Sequence, residues 1–215
     1  MDALQIARAR YTAKAYDLRK KIRAELFDKL LEILRLSPSS TNAQPWHFLI
    51  AESAQAKARI AKSMEGSDDY NIPKVMNASH VLVFCAVNDV TDTHLEKVNA
   101  AEIRDGRYTA ERQQANTAPR AHYVRMYRSQ GKMQSWIESQ LHIALGQLLW
   151  AAEMEGVNST AIGGFRTERL DAELNLAEQG LHSVLIVCLG YRSAEDRNAD
   201  KPKSRLSRDE IFSYL

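Results

Sequence analysis

Two short stretches near opposite ends of the chain gather the residue types that hold a phosphate. Arg10-Tyr11-Thr12-Ala13-Lys14 puts two cations and two hydroxyls in five residues, and Pro202-Lys203-Ser204-Arg205 puts two cations around a serine. Guanidinium and ammonium groups beside hydroxyls form charge-assisted bonds to a phosphate, about twice as strong as neutral ones. Taken singly, these residues read as well as solvated surface charges. A third stretch, Leu36-Ser37-Pro38-Ser39-Ser40-Thr41-Asn42-Ala43-Gln44-Pro45-Trp46-His47-Phe48, packs three serines, a threonine and two amides between a helix end and a strand. It offers many donors at one place, or simply a polar connection.

The elements that must position these stretches follow from hydrophobic periodicity. Asp2 caps a helix through Ala9. Leu26, Phe27, Leu30, Leu31 and Leu34 lie at helical spacing over 25–36, and Pro38 stops that helix. Residues 46–51 read as a strand, Ser53 caps a helix to about Met64, and 80–87 is a nearly continuous apolar run, as in a strand buried on both faces. From 91 to 131 charge is dense and apolar runs vanish, which predicts an exposed helical excursion. Trp136, Ile137, Leu141, Leu145 and Leu148 mark a long helix ending at Gly156, with close packing expected at Gly146. A strand over 157–162 runs into Gly163-Gly164, Thr167 caps a further helix, and 183–189 is a second buried strand. Strands separated by helices predict an α/β or α+β sandwich. No G-x-G-x-x-G follows the first strand, so a Rossmann nucleotide domain is not supported.

Bulk properties narrow the function classes. The 215 residues are 45% hydrophobic and 26% charged with net charge +2. That is ordinary globular composition, with no nucleic-acid signature. No apolar run reaches the ~20 residues of a membrane span. The opening residues lack a basic region followed by an apolar stretch, so no secretory signal is expected. Cys85 and Cys188 each sit in an apolar run and read as buried free thiols in a reducing compartment. The cytoplasm is the expected location. His47 and His80 read as packed in strands, and the six histidines have no metal-ligand spacing.

Arg10-Tyr11-Thr12-x-Lys14 with Tyr16-Asp17 resembles the opening of the nitroreductase family. Pro38-Ser39-Ser40-Thr41-Asn42-x-Gln44-Pro45-Trp46 and Pro202-Lys203-Ser204-Arg205 are similar to that family's serine-rich loop and C-terminal motif. Asn71-x-x-Lys74, Ala78-Ser79-His80-Val81, Asp105-Gly106-Arg107 and Gly164-Phe165 fall between them in the expected order. The resemblance spans essentially the whole chain. It is strongest to the oxygen-insensitive NAD(P)H nitroreductase, dihydropteridine reductase and flavin reductase subgroup.

The resemblance implies an α+β fold in one domain over 1–215, with a mixed sheet flanked by helices and an excursion at about 91–131. It implies an intertwined homodimer with FMN at the interface, taking hydride from NAD(P)H (NADH or NADPH). Small aromatic acceptors such as nitroaromatics, quinones or flavins are then reduced in a ping-pong cycle. By matched position, Arg10, Lys203 and Arg205 hold the FMN phosphate, with Tyr11 and Thr12 nearby. Lys14, Asn71 and Lys74 face the pyrimidine edge and tune the flavin. Pro38, Ser39, Ser40 and Asn42 reach in from the partner. Gln140 approaches the ribityl or phosphate region. Gly163 and Gly164 offer backbone N–H groups to the ring. Thr41, Tyr70 and Tyr123 line the substrate channel. No metal and no catalytic side chain is implied, since the flavin carries the redox chemistry.

One position departs from the subgroup. Ala161-Ile162-Gly163-Gly164-Phe165 has glycine where a glutamate is usual. The expected consequence is a wider pocket with a more positive local field. Two alternatives stay open: a flavin-consuming or dehalogenating member of the same fold, with 91–131 as its lid, and a non-catalytic flavin-binding protein.

Overall fold

The computed structural model describes residues 2–215, with only the backbone of Gln114 and Asn116 described. Met1, the first residue of the predicted domain, lies outside the described residues.

The elements follow the sequence pattern closely. Helix α1 (Ala3–Ala9) starts at Asp2, whose carboxylate accepts from the Gln5 backbone N–H at 2.8 Å in a capping box. Helix α2 (Ala24–Arg35) buries Phe27, Leu30 and Leu34. A 3-10 turn (Ser40–Asn42) leads to β1 (Trp46–Ala51), and α3 (Ala54–Ala61) is capped by Ser53. The short α4 (Ile72–Asn77), unforeseen in the sequence, precedes β2 (His80–Val87). Helices α5 (Asp92–Arg104) and α6 (Gln113–Ser129) form the excursion. The long α7 (Met133–Met154) is followed by β3 (Asn158–Ile162), α8 (Thr167–Leu174), β4 (Leu181–Gly190) and α9 (Arg208–Ile211).

The strands form one sheet in the order β1-β2-β4-β3, and every neighbouring pair is antiparallel. This corrects the expectation of a mixed sheet within the chain. The parallel pairing found is an isolated bridge, Thr12 to Ser159, where the segment after α1 runs along β3. Side-chain alternation sorts the central strands onto two layers. Leu82, Phe84, Ala86, Leu185, Val187 and Leu189 join the core under α2 and α7. Val81, Val83, Cys85, Ile186 and Cys188 join the one under α3 and α8. Each fully buried large side chain contributes about 1.5–3 kcal/mol, so the two layers fix the sheet that carries the flanking loops.

Four local expectations are corrected. His47 is exposed, because β1 is an edge strand, whereas His80 is buried and stacks on Phe27 at 3.7 Å. Thr167 is the first residue of α8; Arg166 occupies the cap, without a side-chain bond. A Cβ on Gly146 would meet nothing within 4 Å among the described residues, so none of them packs closely there. The excursion is helical as predicted but not merely exposed. Leu95 and Val124 join the main core, and Tyr127 stacks on Trp136 at 5.0 Å.

Candidate active site

The strip Arg10–Lys14 is pinned from both sides. The Ala13 N–H donates to Ser159 O at 3.1 Å, and the Thr160 hydroxyl donates to Ala13 O. Asp196, almost fully buried, accepts from the Lys14 N–H at 3.1 Å and the Tyr11 hydroxyl at 3.2 Å. Burial, and then the Asp196 carboxylate, push the Tyr11 phenol up to about 12. Asn198 Nδ2 donates to Thr12 O at 2.7 Å. Asp196 and Asn198 were missed in the sequence. The polar run Glu195-Asp196-Arg197-Asn198 signals a side-chain-bonded turn, but nothing local says which segment it holds.

This turn brings the two ends of the chain together. Arg10, Tyr11, Thr12, Lys203 and Arg205 line one open cleft of about 560 Å³, joined by Arg8, Asn198 and Lys201. Its lining carries five cationic side chains and no acidic one. The Lys203 ammonium donates to Ala7 O and Arg10 O, closing the end of α1 and leaving one proton for another acceptor. Its pKa lies below the ordinary lysine value, first from desolvation and then from Arg10 and Arg205. Arg205 is exposed, its guanidinium bonded to the adjacent Ser204 O.

A second group continues from the strip. Lys74 is buried, donating to Tyr70 O at 2.7 Å and Asn71 Oδ1 at 2.8 Å, with its ammonium 4.8 Å from the Tyr70 ring centre. Desolvation and then Lys14 hold its pKa below the usual value, so the two ammonium groups share one field. Asn71 Nδ2 donates to Gly164 O at 3.0 Å, tying this helix turn to the end of β3. A Cβ on Gly164 would lie 2.7 Å from Asp68 Oδ1 and 3.0 Å from both Asn71 Nδ2 and the Tyr70 hydroxyl. A side chain at this position would require the Asp68 carboxylate, and to a lesser extent the Asn71 and Tyr70 ends, to shift. Gly163 is exposed, with nothing within 4 Å of where its Cβ would stand.

The remaining predicted residues lie elsewhere in the chain. Pro38, Ser39, Thr41 and Asn42 line a separate cleft of about 400 Å³ with Glu102, Arg107, Tyr108, Pro119 and Arg120. None of these residues lines the first cleft. Ser40 donates its N–H to Gln140 Oε1 at 2.8 Å, and Gln140 Nε2 donates to Trp136 O. Gln140 is thus buried beneath the serine loop, apart from the cation cleft of its own chain. Tyr70, largely exposed, belongs with the Lys74 group. Tyr123, on the outer face of α6, lines neither cleft.

Residues 7–191 match the Nitroreductase family over most of the chain. The chain belongs to the nitroreductase family. Relatives agree over nearly their full length. It is 43% identical to an oxygen-insensitive NAD(P)H nitroreductase of Salmonella typhimurium, covering 96% of each chain. It is 41% identical to one from Enterobacter cloacae, covering 99% of each. The major NAD(P)H-flavin oxidoreductase of Aliivibrio fischeri is 32% identical, with 96% of this chain and 95% of that one covered. A structure from Exiguobacterium sibiricum described as a nitroreductase in complex with FMN superposes with a TM-score of 0.84 at 22% identity. That alignment covers 100% of this nitroreductase-family chain and 98% of the other. It is a likeness of fold.

Proposed function

We propose that the protein is an FMN-dependent NAD(P)H oxidoreductase that reduces small aromatic acceptors, with each flavin site assembled from two copies of the chain. The observation that carries this reading is the five-cation cleft leading into the paired Lys14 and Lys74 field, in a nitroreductase-family fold. Its donor set fits a phosphate: Arg10 and Arg205 offer guanidinium N–H groups, Lys203 one remaining proton, and Thr12 a hydroxyl. Asn71 and Lys74 would hold the polar edge of the ring, and the Gly163-Gly164 backbone its other side. When bound, FMN supplies the chemistry, taking a hydride from NAD(P)H and passing two electrons to a nitroaromatic, quinone or flavin.

This chain's residues bind, orient and set the field. Lys14 and Lys74 favour negative charge gathering near them, which eases hydride acceptance. Tyr70 offers an exposed aromatic face beside that field. The shared-site reading rests on the second cleft. Pro38, Ser39, Ser40, Thr41 and Asn42 gather away from the cation strip, so they serve a second copy's flavin. Apolar residues open to solvent support a homodimer: Ile143, Trp150 and Met154 on α7, and Leu206, Ile211 and Phe212 in the tail. The buried thiols of Cys85 and Cys188, each pushed up to about 12 by desolvation, support a cytoplasmic protein. No described helix is long and apolar enough to cross a membrane.

Light scattering combined with flavin quantitation tests the assembly. The expected particle has about twice the 24.3 kDa chain mass and one FMN per chain. A monomer that retains stoichiometric FMN contradicts a site built from two copies.

A further inference from the structure

The serine loop holds an unusual backbone. Among the described residues four non-glycine residues have left-handed φ, and three lie here: Thr41 (52°), Asn42 (54°) and Gln44 (47°). For a β-branched residue such as Thr41 this is an outlier, and a cluster of this kind persists only when the surroundings over-determine it.

The surroundings are the two excursion helices. Arg120 is 4% exposed and spends its guanidinium on three acceptors. Nε donates to Thr41 O at 2.6 Å, one terminal nitrogen to Asn99 Oδ1 at 2.5 Å, and the other to Glu102 Oε1 at 2.6 Å. The same Glu102 oxygen accepts from Asn42 Nδ2 at 2.8 Å. His94 of α5 donates its Nε2–H to Ala43 O at 2.7 Å. Glu102 is 5% exposed, yet its Oε2 has no hydrogen-bond partner among the described residues. A buried ion pair with half its carboxylate idle is a weak stabiliser, because desolvation offsets much of the attraction. Besides Asn99, the pair bonds Thr41 and Asn42, two of the three loop residues with left-handed backbone.

We propose that Glu102 and Arg120 are positioning residues: the excursion clamps the 39–44 loop in its left-handed form and so presents Ser39–Asn42 to the partner's flavin site. The inference rests on the oxidoreductase reading above. The excursion then acts as a fixed brace for the acceptor site, in place of a mobile lid.

The informative variant replaces both partners, Glu102→Met with Arg120→Met. Each single change strands a buried charge, whereas removing both with similar volume is often near neutral for stability. Should the double variant fail to fold, Arg120→Lys serves instead, since a lysine keeps the charge but cannot span three acceptors in one plane. The readouts are amide hydrogen exchange of Asn42, Ala43 and Gln44, and steady-state reduction of a quinone by NADH. Once the brace is gone, loop amides should exchange at least about tenfold faster, as a locally opened segment does. The quinone KM should rise about tenfold while kcat changes less, as for lost positioning of binding groups. Unchanged exchange overturns the clamp. Faster exchange with an unchanged KM overturns its role at the site. A parent protein that does not oxidise NADH or NADPH overturns the functional reading instead, and the exchange rates still decide whether the pair holds the loop.

Discussion

Arg205→Ala is expected to weaken FMN binding by about 1.5–3 kcal/mol, the cost of losing a charged hydrogen bond. That is roughly ten- to a hundredfold or more in Kd. Arg205 is the cleanest probe of the cation cleft. Among the described residues its guanidinium bonds only the neighbouring Ser204 O, so its removal should leave the fold intact. Lys203 is a poorer probe, because its ammonium also closes α1 on Ala7 O and Arg10 O. The absorption spectrum of flavin that stays bound should hardly change, since a phosphate contact lies away from the ring. Arg19, exposed and paired with Asp17, supplies the control: Arg19→Ala should leave the FMN Kd where it was. Fluorescence titration of the apoprotein measures both. An Arg205→Ala protein with the parent's Kd removes Arg205 from the phosphate site.

Gly163→Glu is expected to lower the flavin's two-electron potential and narrow its acceptor range while leaving FMN affinity nearly unchanged. The side chain has room: nothing lies within 4 Å of its Cβ, and Gly163 is absent from the positive-φ glycines. At ~8 Å and an effective dielectric of ~20 a unit charge exerts about 2 kcal/mol. For a two-electron couple that is about 40 mV, before solvent screening of this exposed position reduces it. The adjacent glycine gives the contrast. Gly164→Ala adds no charge but requires the Asp68 and Asn71 side-chain ends to shift, so any change it makes is one of shape. Redox titration of both variants separates field from shape. A Gly163→Glu protein with the parent's potential means that the carboxylate does not reach the flavin's field.

The elements were legible because periodicity reports burial, and burial decides the strands and long helices here. The runs at 46–51, 80–87 and 183–189 and the stripe from Trp136 to Leu148 all appear where expected. The sheet's direction was not legible. Helices alternate with strands in this chain, as they do in parallel sheets, yet β1–β2, β2–β4 and β3–β4 all pair antiparallel, and pairing between distant segments leaves no local signal. His47 misled because an apolar neighbourhood in sequence says nothing about which strand is the edge. At the candidate site, charge and hydroxyl spacing drew attention to Arg10–Lys14 and Lys203–Arg205, and the family resemblance was needed to read them as phosphate ligands. The props behind them could not be read from the sequence. Asp196 acts across more than 180 positions on Tyr11 and Lys14. Glu102 and Arg120 sit on different helices inside the most polar stretch, where a charged residue ordinarily reads as solvated. Nothing local in the sequence shows that Gln140 supports the serine loop.

FMN-dependent oxidation of NAD(P)H is tested by mixing the oxidised, FMN-loaded protein anaerobically with NADH or NADPH in a stopped-flow spectrometer, then with a quinone. The yellow absorbance should bleach in a single phase that depends on nucleotide concentration, and the quinone should restore it without nucleotide present. A yellow protein that neither nucleotide bleaches would instead be a flavin-binding protein without NAD(P)H oxidoreductase activity.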